Sequence, residues 1–180
     1  QLNDPTNLTA SFSKNLYITS AALADKGSSG AAEEQDILNQ LVAQEASKII
    51  STTFTYKDLK VDTKETKTSI KVYGNEMAKI LDGIITKKSM ADSFSGLKSF
   101  IDTQDAQGLT ALTKEYQKMD SVLQKLLAVS VPVSASAYHL LTLNRIGAYR
   151  DLLYNLSVAS SDPIRARLVI DKIPTTLVST

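Results

Sequence analysis

The chain has no cysteine and no tryptophan, one histidine, four prolines and seven glycines in 180 residues. Without cysteine there are no disulfide staples, no thiolate zinc sites, no iron–sulfur clusters and no cysteine nucleophile. The absence does not identify a compartment, because it suits a secreted bacterial domain that avoids stray oxidation as well as a cytosolic one. With His139 as the single histidine, a catalytic zinc site of the usual ligand type is nearly excluded too. Aromatic residues make up only 6%, so Leu, Ile, Val and Ala must fill the core, which favours helix–helix packing over a sheet sandwich. No apolar run approaches the roughly 18 residues that a spanning helix needs. The opening residues, Gln1-Leu2-Asn3-Asp4-Pro5, do not read as a signal peptide and include no initiator Met, so the expectation is a piece cut from a longer precursor.

Charge of one sign is also missing. The net charge is +1, which gives no global field to favour nucleic acid or an anionic membrane. The distribution is uneven: residues 1–120 carry 14 Lys+Arg against 16 Asp+Glu, and residues 121–180 carry 6 against 3. All four arginines, Arg145, Arg150, Arg165 and Arg167, fall in that last stretch. Solvated or salt-bridged faces account for this simply, and a local patch for an anionic partner is the alternative.

What is present is ordinary for a globular chain, 43% hydrophobic and 22% charged. The expectation is an all-α, single-domain bundle of about six to seven helices over residues 1–174, with a flexible tail at 175–180. Asp4-Pro5 opens the first helix, whose stripe is Leu8, Phe12, Leu16 and Leu23, and Gly27–Gly30 ends it. In the second, acids at 33, 34 and 36 precede a broad face of Ile37, Leu38, Leu41, Val42, Ala46, Ile49 and Ile50. Residues 52–62 read as an extended connector or short strand, being β-branched and aromatic and then alternating.

A third helix is expected over 65–86, with Ile70, Tyr73, Met77, Ile80, Leu81, Ile84 and Ile85 inward; Gly74 permits close helix approach, and Gly83, like it, costs about 1 kcal/mol relative to Ala unless close packing needs it. A short one follows at 93–101, carrying Phe94, Leu97, Phe100 and Ile101. The most regular seam is Leu109, Leu112, Tyr116, Met119, Leu123 and Leu126, in steps of three and four. Val131-Pro132 breaks it. Ser134 or Ser136 begins the next helix, which Tyr138, Leu141, Tyr149, Leu152, Leu153 and Leu156 can line. Ser160-Ser161-Asp162-Pro163 caps a last short helix that Pro174 ends.

No local motif carries chemistry. His139 sits between Tyr138 and Leu140 and reads first as a packed helix histidine, second as a general base drawing on Ser136 or Asp151. No nucleophile elbow supports the second reading. Asp102 and Asp105 lack an EF-hand loop and suit helix capping. Glu76 and Glu115 are candidates for a pair of facing acids, but nothing singles them out. Gly27-Ser-Ser-Gly30 lacks the Lys-Ser/Thr of a phosphate loop. Arg145, Tyr149 and Arg150 come nearest to a nucleic-acid stripe, with Tyr149 better explained as core. No cofactor and no metal is implied.

Three stretches, taken in order, carry a resemblance. They are Tyr56-Lys-Asp-Leu-Lys-Val61 with Val72-Tyr73-Gly74-Asn75-Glu76; Val131-Pro-Val with Tyr138-His139-Leu140-Leu141 and Asn144; and Asp162-Pro163 with Ala166. From about Asn7 to Asp171 the chain resembles a family of uncharacterised, signal-anchored extracytoplasmic helical proteins of small-genome bacteria. The resemblance implies an extracytoplasmic helical domain, membrane-anchored in the full-length protein, with no assigned activity or cofactor.

The leading expectation is therefore a non-enzymatic extracytoplasmic interaction or scaffold domain, part of a cell-surface or secretion apparatus. It would act on a protein partner, with no nucleic acid, as a monomer or weak oligomer, and reach the membrane only through a segment absent from this chain. The alternatives are an enzyme acting on an envelope polymer and a small-ligand binder using an inter-helix cavity. The candidate surface is His139, Asn144, Arg145, Arg150, Arg165 and Arg167.

Overall fold

Helix caps set where the elements begin. The computed structural model describes residues 6–26, 31–49, 51–82, 84 and 87–170, most of them in seven α-helices and one pair of short strands. The protein is all-α. Asn7 starts α1 (Leu8–Lys26) by accepting the Ala10 amide at 2.9 Å; the expected Asp4-Pro5 opening, the Gly27–Gly30 turn and the 175–180 tail lie outside the described residues. In α2 (Ala31–Ser47), Glu33 and Glu34 occupy the positive first turn as expected. Thr66 caps α3 (Lys67–Leu81) reciprocally: its hydroxyl accepts the Ser69 amide at 3.0 Å, and the Ser69 hydroxyl accepts the Thr66 amide at 2.8 Å.

The expected span of 65–86 for the third helix is too long. It stops at Leu81, because Asp82-Gly83 is a poor pair of helix formers, and Asp82 takes an extended backbone. Ile84 is buried beyond the helix end. The fourth helix, α4 (Lys87–Thr103), begins before the expected Ser93, since its first turns are polar and lack an apolar rhythm. Gln104, at φ 58°, closes it.

The predicted seam is α5 (Thr110–Ala128) with the turn before it: Leu109, Leu112, Met119, Leu123 and Leu126 are buried and Tyr116 half-buried. It packs mainly against α6 (Ser136–Ser157). The last helix is α7 (Pro163–Ile170). Val131-Pro132 does more than end α5: β2 (Ser130–Pro132) pairs in parallel with β1 (Lys60–Asp62), Val61 opposite Val131.

The 52–62 connector is thus not uniformly extended. A strap at 51–55 runs into a 3-10 turn at Tyr56–Asp58, where the Asp58 carboxylate accepts the Thr55 amide at 2.7 Å, and then into β1.

The described residues gather into two compact units, one up to residue 49 together with those from 158 onward, the other from 51 to 157. The first holds α1, α2 and α7 and buries Leu8, Leu41, Ala159, Ala166 and Val169. The second holds the strap, the strand pair and α3 to α6, over a core that includes Met119, Val122, Leu143, Ile146, Leu153 and Leu156. Within it α4 touches the turn before α5 backbone to backbone: a Cβ on Gly96 would lie 2.2 Å from the Gly108 carbonyl oxygen. Gly74 plays no such part. Nothing lies within 4 Å of the Cβ it lacks, so the expected close approach there is corrected; Gly83 is outside the described residues.

Several side chains expected inward face solvent: Val42, Ile70, Leu81, Ile101, Tyr138 and Leu141. On α6 the cause is register. The buried stripe runs through His139, Leu143, Ile146, Leu153 and Leu156, and burying His139 turns its neighbour Tyr138 outward.

Candidate functional site

The six candidate surface residues serve different ends. His139 is 0% exposed, so it is no surface residue at all. Its Nε2 lies 3.2 Å from the Leu126 carbonyl oxygen and its Nδ1 3.2 Å from the Tyr73 hydroxyl. A carbonyl only accepts, so the network assigns the proton to Nε2 and lets the Tyr73 hydroxyl donate to Nδ1. Burial pulls the imidazole below its ordinary value of 6.5, opposed by the Leu126 bond. The two residues named as possible catalytic partners are engaged elsewhere. Ser136 donates its hydroxyl to the Val133 carbonyl at 2.8 Å, and Asp151 accepts the Thr52 amide at 2.6 Å. His139 ties α3, α5 and α6 together.

Arg165 belongs to the first unit, where its Nε donates to Asp162 Oδ2 at 2.9 Å. The same carboxylate accepts the amides of Leu8 and Thr9 at 2.9 Å each, the Thr9 hydroxyl at 2.8 Å and the Arg165 amide at 3.3 Å. One acid therefore caps both α1 and α7. Burial works to raise its pKa, but the bonds from Thr9, Leu8 and Arg165 outweigh this and hold it below 3.8. Arg145 and Arg167 are exposed, on α6 and α7.

Asn144 and Arg150 meet on one face of α6, and with Gly147 and Asp151 they clamp the strap. Steps of three and four put these positions in line on a helix. The Phe54 amide donates to Asn144 Oδ1 at 2.8 Å, and Asn144 Nδ2 donates to the Phe54 carbonyl at 3.2 Å. The side-chain amide thus reads the backbone as a neighbouring strand would. Arg150 Nη2 donates to the Thr52 hydroxyl at 2.8 Å and pairs with Asp151 at 2.9 Å; its Nη1 reaches Asp120 at 3.3 Å. The Phe54 ring lies where a side chain on residue 147 would be, its Cε2 3.0 Å from the Cβ that Gly147 lacks. Thr52 and Phe54 are half-buried while Thr53 and Thr55 are exposed, the alternation of an extended chain.

Two buried acids carry no local motif. Glu45, 0% exposed, accepts the Ser11 hydroxyl at 3.0 Å and Lys48 Nζ at 2.8 Å. It stands four residues after Leu41 and four before Ile49, inside the apolar stripe, and that position was the available signal. Glu115 is buried on α5, 3.8 Å from Lys118, with Oε1 lacking a hydrogen bond; the buried Tyr149 hydroxyl lacks one too. The Tyr149 hydroxyl is pushed up by burial and by the Glu115 charge. Glu76 is exposed on α3. Asp105 caps the turn after it, accepting the Gln107 amide at 2.9 Å, and Asp102 pairs with Lys98.

Two surface features remain. In the first unit α1 and α2 border a groove of about 420 Å³, lined by Leu16, Thr19, Leu23, Glu34, Ile37 and Leu38 among others. In the second, Tyr138 (76% exposed), Leu141 and Val133 stand at the start of α6, with Ile70 and Val61 exposed on α3 and β1. The Glu65 carboxylate accepts the Ser134 amide at 2.8 Å, and Tyr73 meets His139, so these elements lie side by side.

Among the described residues no group of three or more His, Asp or Glu is placed to hold a metal, and no helix is long and apolar enough to cross a membrane. No protein-family model, curated protein or solved structure matches the chain.

Proposed function

We propose that the chain is a non-enzymatic interaction or scaffold domain working outside the cytoplasm, in a protein tethered to the membrane and belonging to a cell-surface or secretion apparatus. The setting rests on the resemblance of the Tyr56–Val61, Val72–Glu76, Val131–Asn144 and Asp162–Ala166 stretches to signal-anchored helical proteins. The interaction rests on one observation, the exposure of Tyr138, Leu141 and Val133 around the start of α6. An aromatic and two aliphatic side chains turned to water on adjoining positions suit the apolar centre of a protein interface. The residues best suited to catalysis favour the same reading, because His139 is sealed and Asp151 and Asp162 hold the backbone in place.

Site-specific photocrosslinking in the producing cell tests it. A crosslinker at position 138 or 141 should give a discrete protein adduct, and one at exposed Lys125 on α5 should not. Equal yields at all three positions would discard the reading. The α1–α2 groove favours a second one, a small apolar ligand, since its volume falls in the range of ligand sites. A fluorescent apolar probe whose binding is lost on Leu38→Arg would support that alternative.

A further inference from the structure

One face of α1 is used inside the first unit and the opposite face is turned to water. Leu16 and Leu23 border the groove against α2. On the other side Lys14, Tyr17, Ile18, Ala21 and Asp25 fall at i, i+3, i+4, i+7 and i+11, so they form one stripe along the helix, and all five are exposed. Tyr17 is 77% exposed and Ile18 54%, a bulky apolar pair on adjoining positions. The stripe has a direction: a cation, two large apolar side chains, alanines at 21 and 22, and then an acid. No residue one turn from Lys14 or Asp25 carries the opposite charge, so the helix does not supply either with a partner of its own. Asp25 also stands in the last turn of α1, at the negative end of the helix dipole, where a facing cation is favourable.

We infer that α1 pairs through this stripe with α1 of a second copy of the chain, antiparallel and related by a two-fold axis. Reversed end for end, the stripe is its own complement, as a two-fold interface requires. With residue 14 opposite residue 25, the cation of each copy meets the acid of the other, twice in the dimer. In the same register Tyr17 and Ile18 of one copy lie over Ala21 and Ala22 of the other, so large side chains meet small ones and the helices approach closely. Antiparallel packing also opposes the two helix dipoles. A parallel pair in register would instead set Lys14 against Lys14 and Asp25 against Asp25, so the face selects direction as well as partner. The contact runs for about 17 Å of helix. That is short of a standard interface, and the pair should form and separate with concentration. This contact is independent of the surface at the start of α6, and a dimer would carry two copies of that surface.

Sedimentation equilibrium of the whole chain tests the pairing, with the folding of every variant checked by circular dichroism. The wild type should show a monomer–dimer equilibrium, and Ile18→Glu, which changes an exposed side chain, should leave only monomer. Charge exchange reads the register. Lys14→Glu sets acid against acid at both ends, and Asp25→Lys sets lysine against lysine, so each should weaken pairing about tenfold. Mixing the two single variants should restore it. The new acid at position 14 of one chain then meets the new lysine at position 25 of the other, and the native pair survives at the opposite end. A wild type still monomeric at about 1 mM would overturn the inference, and a crosslink from position 18 to a different protein in the producing cell would then give the face to that protein. A dimer that Ile18→Glu leaves intact, or a mixture no stronger than its components, would overturn it as well. A dimer lost on Tyr138→Glu but kept by Ile18→Glu would move self-association to α6. Should Ile18→Glu not fold, the charge exchange decides alone.

Discussion

The two compact units are stabilised by contrasting means. Among the described residues of the first, the buried apolar side chains are Leu8, Leu41, Ala159, Ala166 and Val169, and the carboxylates of Glu45 and Asp162 are buried beside them. In the second, a stripe of Leu and Met on α5 packs against α6, and the buried polar residues described there, Ser93, His139 and Asn155, are neutral. Glu115 is the charged exception. A buried carboxylate that gathers several donors, as Glu45 and Asp162 do, becomes indispensable, because its removal takes the acceptor from every donor aimed at it. A hydrocarbon core spreads the same role over many small contacts. The first unit should therefore fail at single polar atoms and the second by attrition.

The largest effect should come from Asp162→Ala. It removes the acceptor of the Leu8 and Thr9 amides and the carboxylate that Arg165 Nε bonds, and removing one partner of a buried pair costs about 3–5 kcal/mol. Hydrogen exchange should show the loss at α1 and α7 amides with α5 amides little changed. Equal loss in both units would end the contrast. Next comes Leu123→Ala, a residue 2% exposed in the α5 stripe. The cost should be about 2–5 kcal/mol, read by denaturant unfolding and confined by exchange to the second unit.

Acid should separate the units without any substitution. Folded His139 holds a proton less readily than the unfolded chain does, since burial lowers it from 6.5. As pH falls below 6.5 the unfolded chain takes up the extra proton, and the second unit loses stability. Asp162 works in the opposite range. Its folded value lies below 3.8, so its contribution is complete above 3.8 and disappears only as pH falls through the folded value. Between about pH 6 and about pH 4.5, opening free energies from exchange should fall for α5 and α6 and hold for α1 and α7. His139→Gln should remove the fall. A parallel decline in both units, or none in the second, would contradict this account.

How much was legible beforehand follows the same division. The α5 stripe could be read because a long helix repeats its apolar signal every three or four residues. The parallel pairing of Lys60–Asp62 with Ser130–Pro132 could not, because three-residue strands carry almost no pattern and their partners are far apart in sequence. Asp162 was legible as a cap of its own helix, next to Pro163, but its bonds to Leu8 and Thr9 are invisible to local reading. Asn144, Gly147 and Asp151 stand at visible helical spacing, yet nothing in α6 announces that Thr52 and Phe54 will lie on them. Glu45 could have been noticed, since it interrupts an apolar stripe, and an acid there must find partners. The position of His139 between Tyr138 and Leu140 fits its burial, while its bonds to Tyr73 and Leu126 reach other helices and leave no local trace.

The smallest effect should come from Gly74→Ala, and its sign is informative. In an exposed helix interior, alanine is favoured over glycine by about 0.5–1 kcal/mol because it loses less backbone freedom on folding. Position 74 lies in the middle of α3, is exposed, and has nothing within 4 Å of the new Cβ. The substitution should therefore raise the melting temperature by about 1–4 °C in a chain of this size. Gly108→Ala supplies the opposite pole inside the same unit, since its Cβ would lie 2.5 Å from the Gly96 carbonyl oxygen, where backbone must move. The gain from Gly74→Ala should raise protection of α3 amides and leave α1 and α7 untouched, because the added stability enters where the unit is held by many weak contacts. A fall in melting temperature would contradict the open space beside Gly74 and the account of α3 built on it.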